Sequence, residues 1–253
     1  MKFEKGVSNM ATTLAERMSK FSGSPTSALI AKVAELKQQG KDIISLNVGE
    51  PDFGTPDYIK VAGMKAIADN FTKYTPGNGI LELRQEIVKK LKQDNGIEYG
   101  LNEITTSVGA KQAIASAMMV IAGPGDEVIL PIPCWVSYTE MIRLAGATPV
   151  FVPVRPDNYE LDLKAIEDAI TPRTKAIIIC TPNNPTGAVY SEESLRKLAE
   201  LAVKHDFFIV ADEIYEKLVY DGAKHFSVAS ISQEVKERTV TVNGFSKAYA
   251  MTG

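Results

Sequence analysis

The chain has 253 residues, 45% of them apolar, which is enough for one large domain or two modest ones around a sizeable buried core. Its 28 basic and 31 acidic residues leave a formal net charge of −3, with neither sign gathered into a long run. That excludes the basic footprint of a nucleic-acid binder and points to small molecules, or copies of the chain itself, as partners. No apolar run approaches the ~20 residues that span a bilayer, and the charged start (Lys2, Glu4, Lys5, Glu16, Arg17) does not read as a secretory signal, so a cytoplasmic protein is expected. Cys134 and Cys180 lie far apart in apolar surroundings and read as reduced core thiols rather than a disulfide or metal framework. With His205 and His225 the only histidines, a metal site or a Ser-His-Asp triad has few builders, and no metal is expected.

In chain order, Ser27 to Gln39 has helical apolar spacing, with Ser24 or Thr26 as cap and Gly40 as stop. Ile43 to Val48 reads as a short strand running into Gly49-Glu50-Pro51-Asp52-Phe53-Gly54, where glycine and proline forbid regular structure. Helices follow around Pro56–Asp69 and Ile80–Asp94, with a turn at Tyr74-Thr75-Pro76-Gly77-Asn78-Gly79 between them. Short β-rich runs then alternate with helical ones. The strands are expected at Ile104–Val108, Glu127–Leu130, Thr148–Val154, Lys175–Cys180, Phe207–Ala211 and Thr239–Val242. The helices between them fall at Lys111–Ala122, Val136–Ala145, Leu163–Ala169 and Glu192–Lys204. This alternation is the mark of an α/β domain: a mainly parallel sheet with helices on both faces.

Ligands on such sheets bind beyond the carboxyl ends of the strands, so chemistry is sought in the loops that leave them. None of these loops carries a dinucleotide fingerprint, a P-loop or a nucleophile elbow, which makes a nicotinamide oxidoreductase, a P-loop ATPase and an α/β hydrolase poor readings. They carry instead Gly109-Ala110-Lys111, Pro133-Cys134-Trp135, Pro182-Asn183-Asn184-Pro185-Thr186-Gly187, Asp212-Glu213-Ile214-Tyr215 and Asn243-Gly244-Phe245-Ser246-Lys247. Together these offer a helix N-terminus, an aromatic plate, an amide, a carboxylate, a phenol and an amine. A planar, anionic, nitrogen-containing ring with a reactive aldehyde would use every one of them.

In this order and spacing, and with Val48-Gly49-Glu50-Pro51-Asp52-Phe53, Tyr74-Thr75-Pro76-Gly77 and Ser246-Lys247-Ala248-Tyr249-Ala250-Met251-Thr252-Gly253 at either end, the set resembles the class I/II aminotransferases of PLP fold type I. It is most like the bacterial type of aspartate aminotransferase. The resemblance implies a pyridoxal 5'-phosphate cofactor, an N-terminal arm and small-domain segment over residues 1–48, and a PLP-binding large domain over 49–253. It also implies that the chain stops within the family's signature, just short of a phosphate-binding arginine. The large-domain sheet is therefore expected to be incomplete, leaving Ile104–Val108 without a neighbour, and the chain alone to be poorly active.

The roles that follow are the resemblance's, each beside a plainer reading. Lys247 matches the lysine that carries the cofactor as a Schiff base, where a lone loop lysine is ordinarily a solvated charge. Asp212 matches the carboxylate that pairs with the pyridine nitrogen, although aspartate is also a good helix cap. Tyr215 and Asn184 match the pair on the ring hydroxyl, with the Asn184–Pro185 bond expected to be cis, where a half-buried tyrosine and a turn are the plainer readings. Gly109, Ala110, Lys111 and Ser246 match phosphate contacts, against an ordinary strand-to-helix turn. Trp135 matches the plate stacked on the ring, though a single tryptophan is more often core. Tyr74 matches a tyrosine that reaches the phosphate of a neighbouring subunit, implying a homodimer, with a surface turn as the plain reading. Gly49, Trp135, Asn184 and Lys111, with Ser24 and Thr26, match positions around the substrate, Lys111 being the one directed at a distal carboxylate. One departure stands out: the position three before the lysine, often a phosphate-binding serine, is Gly244. The implied reaction is transfer of an amino group between an amino acid, aspartate favoured, and a 2-oxo acid such as 2-oxoglutarate. The alternatives are β-elimination on the same cofactor, or a non-catalytic aminotransferase-like fragment.

Overall fold

The computed structural model describes residues 18–19, 23, 25–46 and 48–253. Two compact units divide it between Asp52 and Phe53, where the sequence suggested a boundary after Val48. In the first unit, helix α1 (Pro25–Gln38) ends as its glycine predicts. Gly40 takes φ 78°, and the amides of Gly40 and Lys41 close back on the carbonyls of Lys37 and Leu36. The strand expected at Ile43–Val48 does not form: residues 41–46 have no regular structure, and Ile44 and Leu46 are 86% and 90% exposed. An apolar run becomes a strand only when a ladder partner takes its amides and carbonyls, and this unit offers none among the described residues.

The second unit begins with α2 (Asp57–Ala68) and α3 (Leu81–Asn95). It continues through α4 (Gly109–Ile121), β1 (Glu127–Ile132), α5 (Ser137–Ala145), β2 (Thr148–Pro153), α6 (Leu163–Ala169), β3 (Thr174–Cys180), α7 (Glu192–His205), β4 (Phe208–Asp212), α8 (Gln233–Glu237) and β5 (Thr239–Val242). The five strands form one sheet in the order β2-β1-β3-β4-β5, every neighbouring pair parallel. Side chains alternate across it with the period of two that a pleated strand imposes. Val128, Leu130, Ala176, Ile178, Cys180 and Val210 pack under α4 and α5, while Ile129, Ile177, Ile179, Ile209 and Ala211 pack under α6 and α7. Helix starts on the second face are capped as written in the sequence: Asp162 accepts from the Ala165 amide and Ser191 from that of Ser194.

The expected strand Ile104–Val108 is also corrected. Residues 104–107 belong to no ladder, the Thr106 amide donates instead to the Asn78 carbonyl at 3.2 Å, and Val108 is 87% exposed. The run has strand composition but no strand beside it, and among the described residues nothing pairs the outer edge of β5 either. Helix α4 accordingly begins at Gly109, two residues earlier than the apolar spacing suggested. The short α8, whose first turn Ser232 caps, was not expected at all.

Candidate active site

Because all five strands run the same way, their carboxyl ends lie along one rim, and the segments singled out in the sequence leave from it. Asp212 is the last residue of β4 and, two after Val210, faces the α4–α5 side. It is 3% exposed. Its Oδ2 accepts from the Tyr138 hydroxyl at 2.6 Å and its Oδ1 from the Ile214 amide at 3.2 Å. Burial, against these two hydrogen bonds and aided by the neighbouring charge of Glu213, pushes its carboxyl up to about 6.

Tyr215, in the turn after β4, receives a 3.1 Å hydrogen bond at its hydroxyl from Nδ2 of Asn184, in the loop after β3. Burial raises its phenol above the ordinary range. The Asn184–Pro185 bond is cis, as expected, and so are Ile132–Pro133 and Thr181–Pro182. Lys247 sits half-buried in the turn after β5, with Nζ 6.0 Å from the centre of the Tyr215 ring. Trp135 stands between β1 and α5, its ring edge-on to Tyr138 with centroids 5.3 Å apart, and Nζ of Lys111 lies 5.0 Å over the indole. Gly109 (φ 76°), Ala110 and Lys111 form the first turn of α4, with the Gly109 amide donating to the Ser107 carbonyl at 2.8 Å. Two short series of contacts result, one from Lys111 through Trp135 and Tyr138 to Asp212, the other from Asn184 through Tyr215 to Lys247, and the turn after β4 carries both Asp212 and Tyr215.

The remaining expected residues are placed as follows. Ser246, half-buried beside Lys247, uses its carbonyl to accept from the Thr252 hydroxyl at 3.1 Å. Tyr74 is fully exposed at the surface of the second unit. Gly49 is exposed and belongs to the first unit. Ser24 lies outside the described residues, and Thr26 is in α1 with its side chain outside the description. A Cβ at Gly244 would stand 3.0 Å from Cδ1 of Ile214, so a larger residue there requires that side-chain end, in the turn that carries Asp212 and Tyr215, to shift by a few tenths of an ångström. Sequence reasoning missed Tyr138, the immediate partner of Asp212. Its signal was present as a second aromatic three residues after Trp135, in the first turn of α5.

Residues 41–253 match the family model described as aminotransferase class I and II. The chain belongs to that family. It is 48% identical over 245 residues to the aspartate aminotransferase of Bacillus sp. (strain YM-2), covering 96% of this chain and 62% of that one. To the aspartate/prephenate aminotransferase of Thermus thermophilus it is 47% identical over 241 residues, again 62% of the relative. The solved aspartate aminotransferase of Thermus thermophilus with maleate superposes with a TM-score of 0.92 at 47% identity, covering 96% of this chain and 63% of that structure. The chain therefore spans somewhat under two thirds of the length of these relatives, and the parallel sheet with its flanking helices is the corresponding part of the fold-type I transferase architecture. No described helix is long and apolar enough to cross a membrane.

Proposed function

We propose that the chain carries the cofactor-binding part of a pyridoxal-phosphate-dependent aminotransferase, one that moves an amino group between aspartate and a 2-oxo acid such as 2-oxoglutarate. The observation that carries this reading is the gathering of a buried carboxylate, a phenol–amide pair, an indole and an amine around one strand rim. A carboxylate pushed up to about 6 by burial is a seat for a positive charge, and a protonated pyridine nitrogen supplies one. Asp212 would hold that nitrogen, with Tyr138 and the Ile214 amide keeping the carboxylate aimed. Tyr215 and Asn184 would bind the ring hydroxyl, Trp135 would cover one face of the ring, and Lys247 Nζ would hold the cofactor covalently. The first turn of α4 (Gly109, Ala110, Lys111) and Ser246 suit the phosphate, helped by Tyr74 from a second subunit of a homodimer. Gly49, Trp135, Asn184 and Lys111, with Ser24 and Thr26, would surround the substrate, the ammonium of Lys111 facing its distal carboxylate.

When bound, the cofactor supplies an electron sink for the substrate's Cα carbanion and a temporary place for the amino group. The protein's share is to orient the ring, keep its nitrogen protonated through Asp212, and move a proton at Cα through Lys247 Nζ. The names of the relatives support aspartate as donor, and the charge balance suits a cytoplasmic setting. The test is chemical. After incubation with pyridoxal phosphate and reduction with borohydride, the label is expected on Lys247 by peptide mapping, and recovery on another lysine would overturn the assignment.

A further inference from the structure

Behind the proposed cofactor face lies a second polar cluster that the reaction itself does not use. Beyond Asp212 the chain carries Glu213 and Glu216, both buried, at 0% and 6% exposure, and hydrogen-bonded to partners other than those of Asp212 and Tyr215. They meet Asn95, the last residue of α3, 7% exposed. Its amide nitrogen lies 3.1 Å from Glu213 Oε2, 2.7 Å from Glu216 Oε2 and 2.7 Å from the Ser227 hydroxyl. Ser227 donates on to Glu213 Oε2 at 2.7 Å, and His225 Nε2 lies 3.1 Å from the same oxygen. Lys90, one turn earlier on α3, donates to Asn95 Oδ1 at 2.7 Å and forms an ion pair with Glu216. The charged and titratable groups around Glu213 are therefore Asp212, Glu216, Lys90 and His225, with Tyr99 adjacent.

Two buried carboxylates cost several kcal/mol to desolvate, and well-packed apolar residues commonly serve stability as well or better. Their placement suggests another use. The anchors come from segments 118 to 132 residues away in sequence for Asn95, so they fix the turn in three dimensions rather than along its own strand. The Glu213 amide, meanwhile, donates to the Val242 carbonyl at 2.8 Å, tying the turn to the end of β5, from which the loop to Lys247 departs. All the hydrogen bonds of Glu213's carboxylate fall on one oxygen, Oε2, with Oε1 unpartnered, so those donors set the side chain's direction. We propose that Asn95, by bridging Glu213 and Glu216, is a positioning residue that holds the Asp212–Tyr215 turn in the geometry the cofactor ring requires. This rests on the cofactor reading above.

The experiment compares wild type with Asn95→Ala, Glu213→Gln and Ser227→Ala in pyridoxal phosphate binding, with native far-UV circular dichroism and urea midpoint measured on each apoprotein. Removing the shared donor leaves two carboxylates facing each other. One lost hydrogen bond to a charged group then corresponds to about a tenfold rise in Kd for the Asn95→Ala protein. The pH midpoint of the bound cofactor's absorbance change should move with it, a readout that a loss of stability alone does not produce. Glu213→Gln, which keeps the shape and the accepting oxygen, should hold Kd within about threefold. If Asn95→Ala does not fold, Ser227→Ala decides, with a rise of at least about threefold in Kd expected. A folded Asn95→Ala protein with wild-type Kd and midpoint, or a Ser227→Ala protein with both unchanged, would overturn the inference. Wild type that fails to bind pyridoxal phosphate removes the underlying reading, and the inference with it.

Discussion

Replacing Asp212 with Asn should make the cofactor-free protein more stable, by an amount that depends on pH in a defined direction. Burial raises this carboxyl from an ordinary 3.8 to about 6. At roughly 1.4 kcal/mol for each factor of ten in proton affinity, keeping it ionised in the fold costs about 3 kcal/mol. The sign follows from the raised value. The folded state binds this proton more tightly than the unfolded one, so the contribution is fully favourable below 3.8 and is lost as pH rises through about 6. Asparagine has no such proton. It also fits the site: its oxygen can accept from the Ile214 amide, and its amide can donate to the Tyr138 oxygen, which turns from donor to acceptor. Urea unfolding of the two apoproteins should give similar stabilities near pH 4 and an advantage for Asp212→Asn of up to about 3 kcal/mol at pH 8. Pyridoxal phosphate should then reverse the order of benefit, stabilising wild type more than the variant, because only the carboxylate gains a charged partner. A stability difference that does not change between pH 4 and pH 8 would refute the reasoning, and so would a variant less stable than wild type throughout.

Two further outcomes are expected. Lys111→Ala should lower kcat/KM for aspartate at least about tenfold, through loss of a charge-assisted contact, and for a neutral amino acid far less. Equal losses for both substrates would mean that Lys111 acts through Trp135, over which its ammonium lies, and not on a distal carboxylate. Burial pushes the Cys134 and Cys180 thiols up to about 11 and about 12, so at pH 8 a disulfide reagent should react with neither at an appreciable rate until the chain is unfolded. Rapid titration of either thiol in the native protein would show that site to be more open or more electropositive than its surroundings here.

The sheet was readable because its signal is local and redundant. Each run from Glu127 to Val242 carries β-branched residues on alternating faces between amphipathic helices, and five of the six expected strands after residue 100 appear within one or two residues of their places. Ile43–Val48 and Ile104–Val108 had the same composition, yet a strand also requires a partner, and composition cannot say whether one is present. For the site, the motifs named in the sequence include Asp212, Lys111 and Trp135 in one series of contacts and Asn184, Tyr215 and Lys247 in another. Tyr138 and the Asn95–Glu213–Glu216 cluster stayed hidden, because they act through tertiary pairing: Tyr138 lies 74 residues from Asp212, and Asn95 lies 118 from Glu213.

The two rims of the sheet distribute chain length unequally. On the rim where strands begin, α5 reaches β2 through Gly146 and Ala147 alone, α7 reaches β4 through Asp206 and Phe207, and α8 reaches β5 through Arg238. Gly146 and Asp206 turn these corners in the left-handed conformation, at φ 89° and 57°. On the opposite rim the chain takes residues 181–191 to reach α7 and residues 213–232, with one short 3-10 turn at Val228–Ser230, to reach α8. Short corners lose little entropy on closing and leave no slack for an insertion, whereas long loops absorb one cheaply. Added or exchanged segments are thus accommodated on the same edge as the chemistry, so a descendant of this chain can alter what it recognises without renegotiating the order or spacing of its strands.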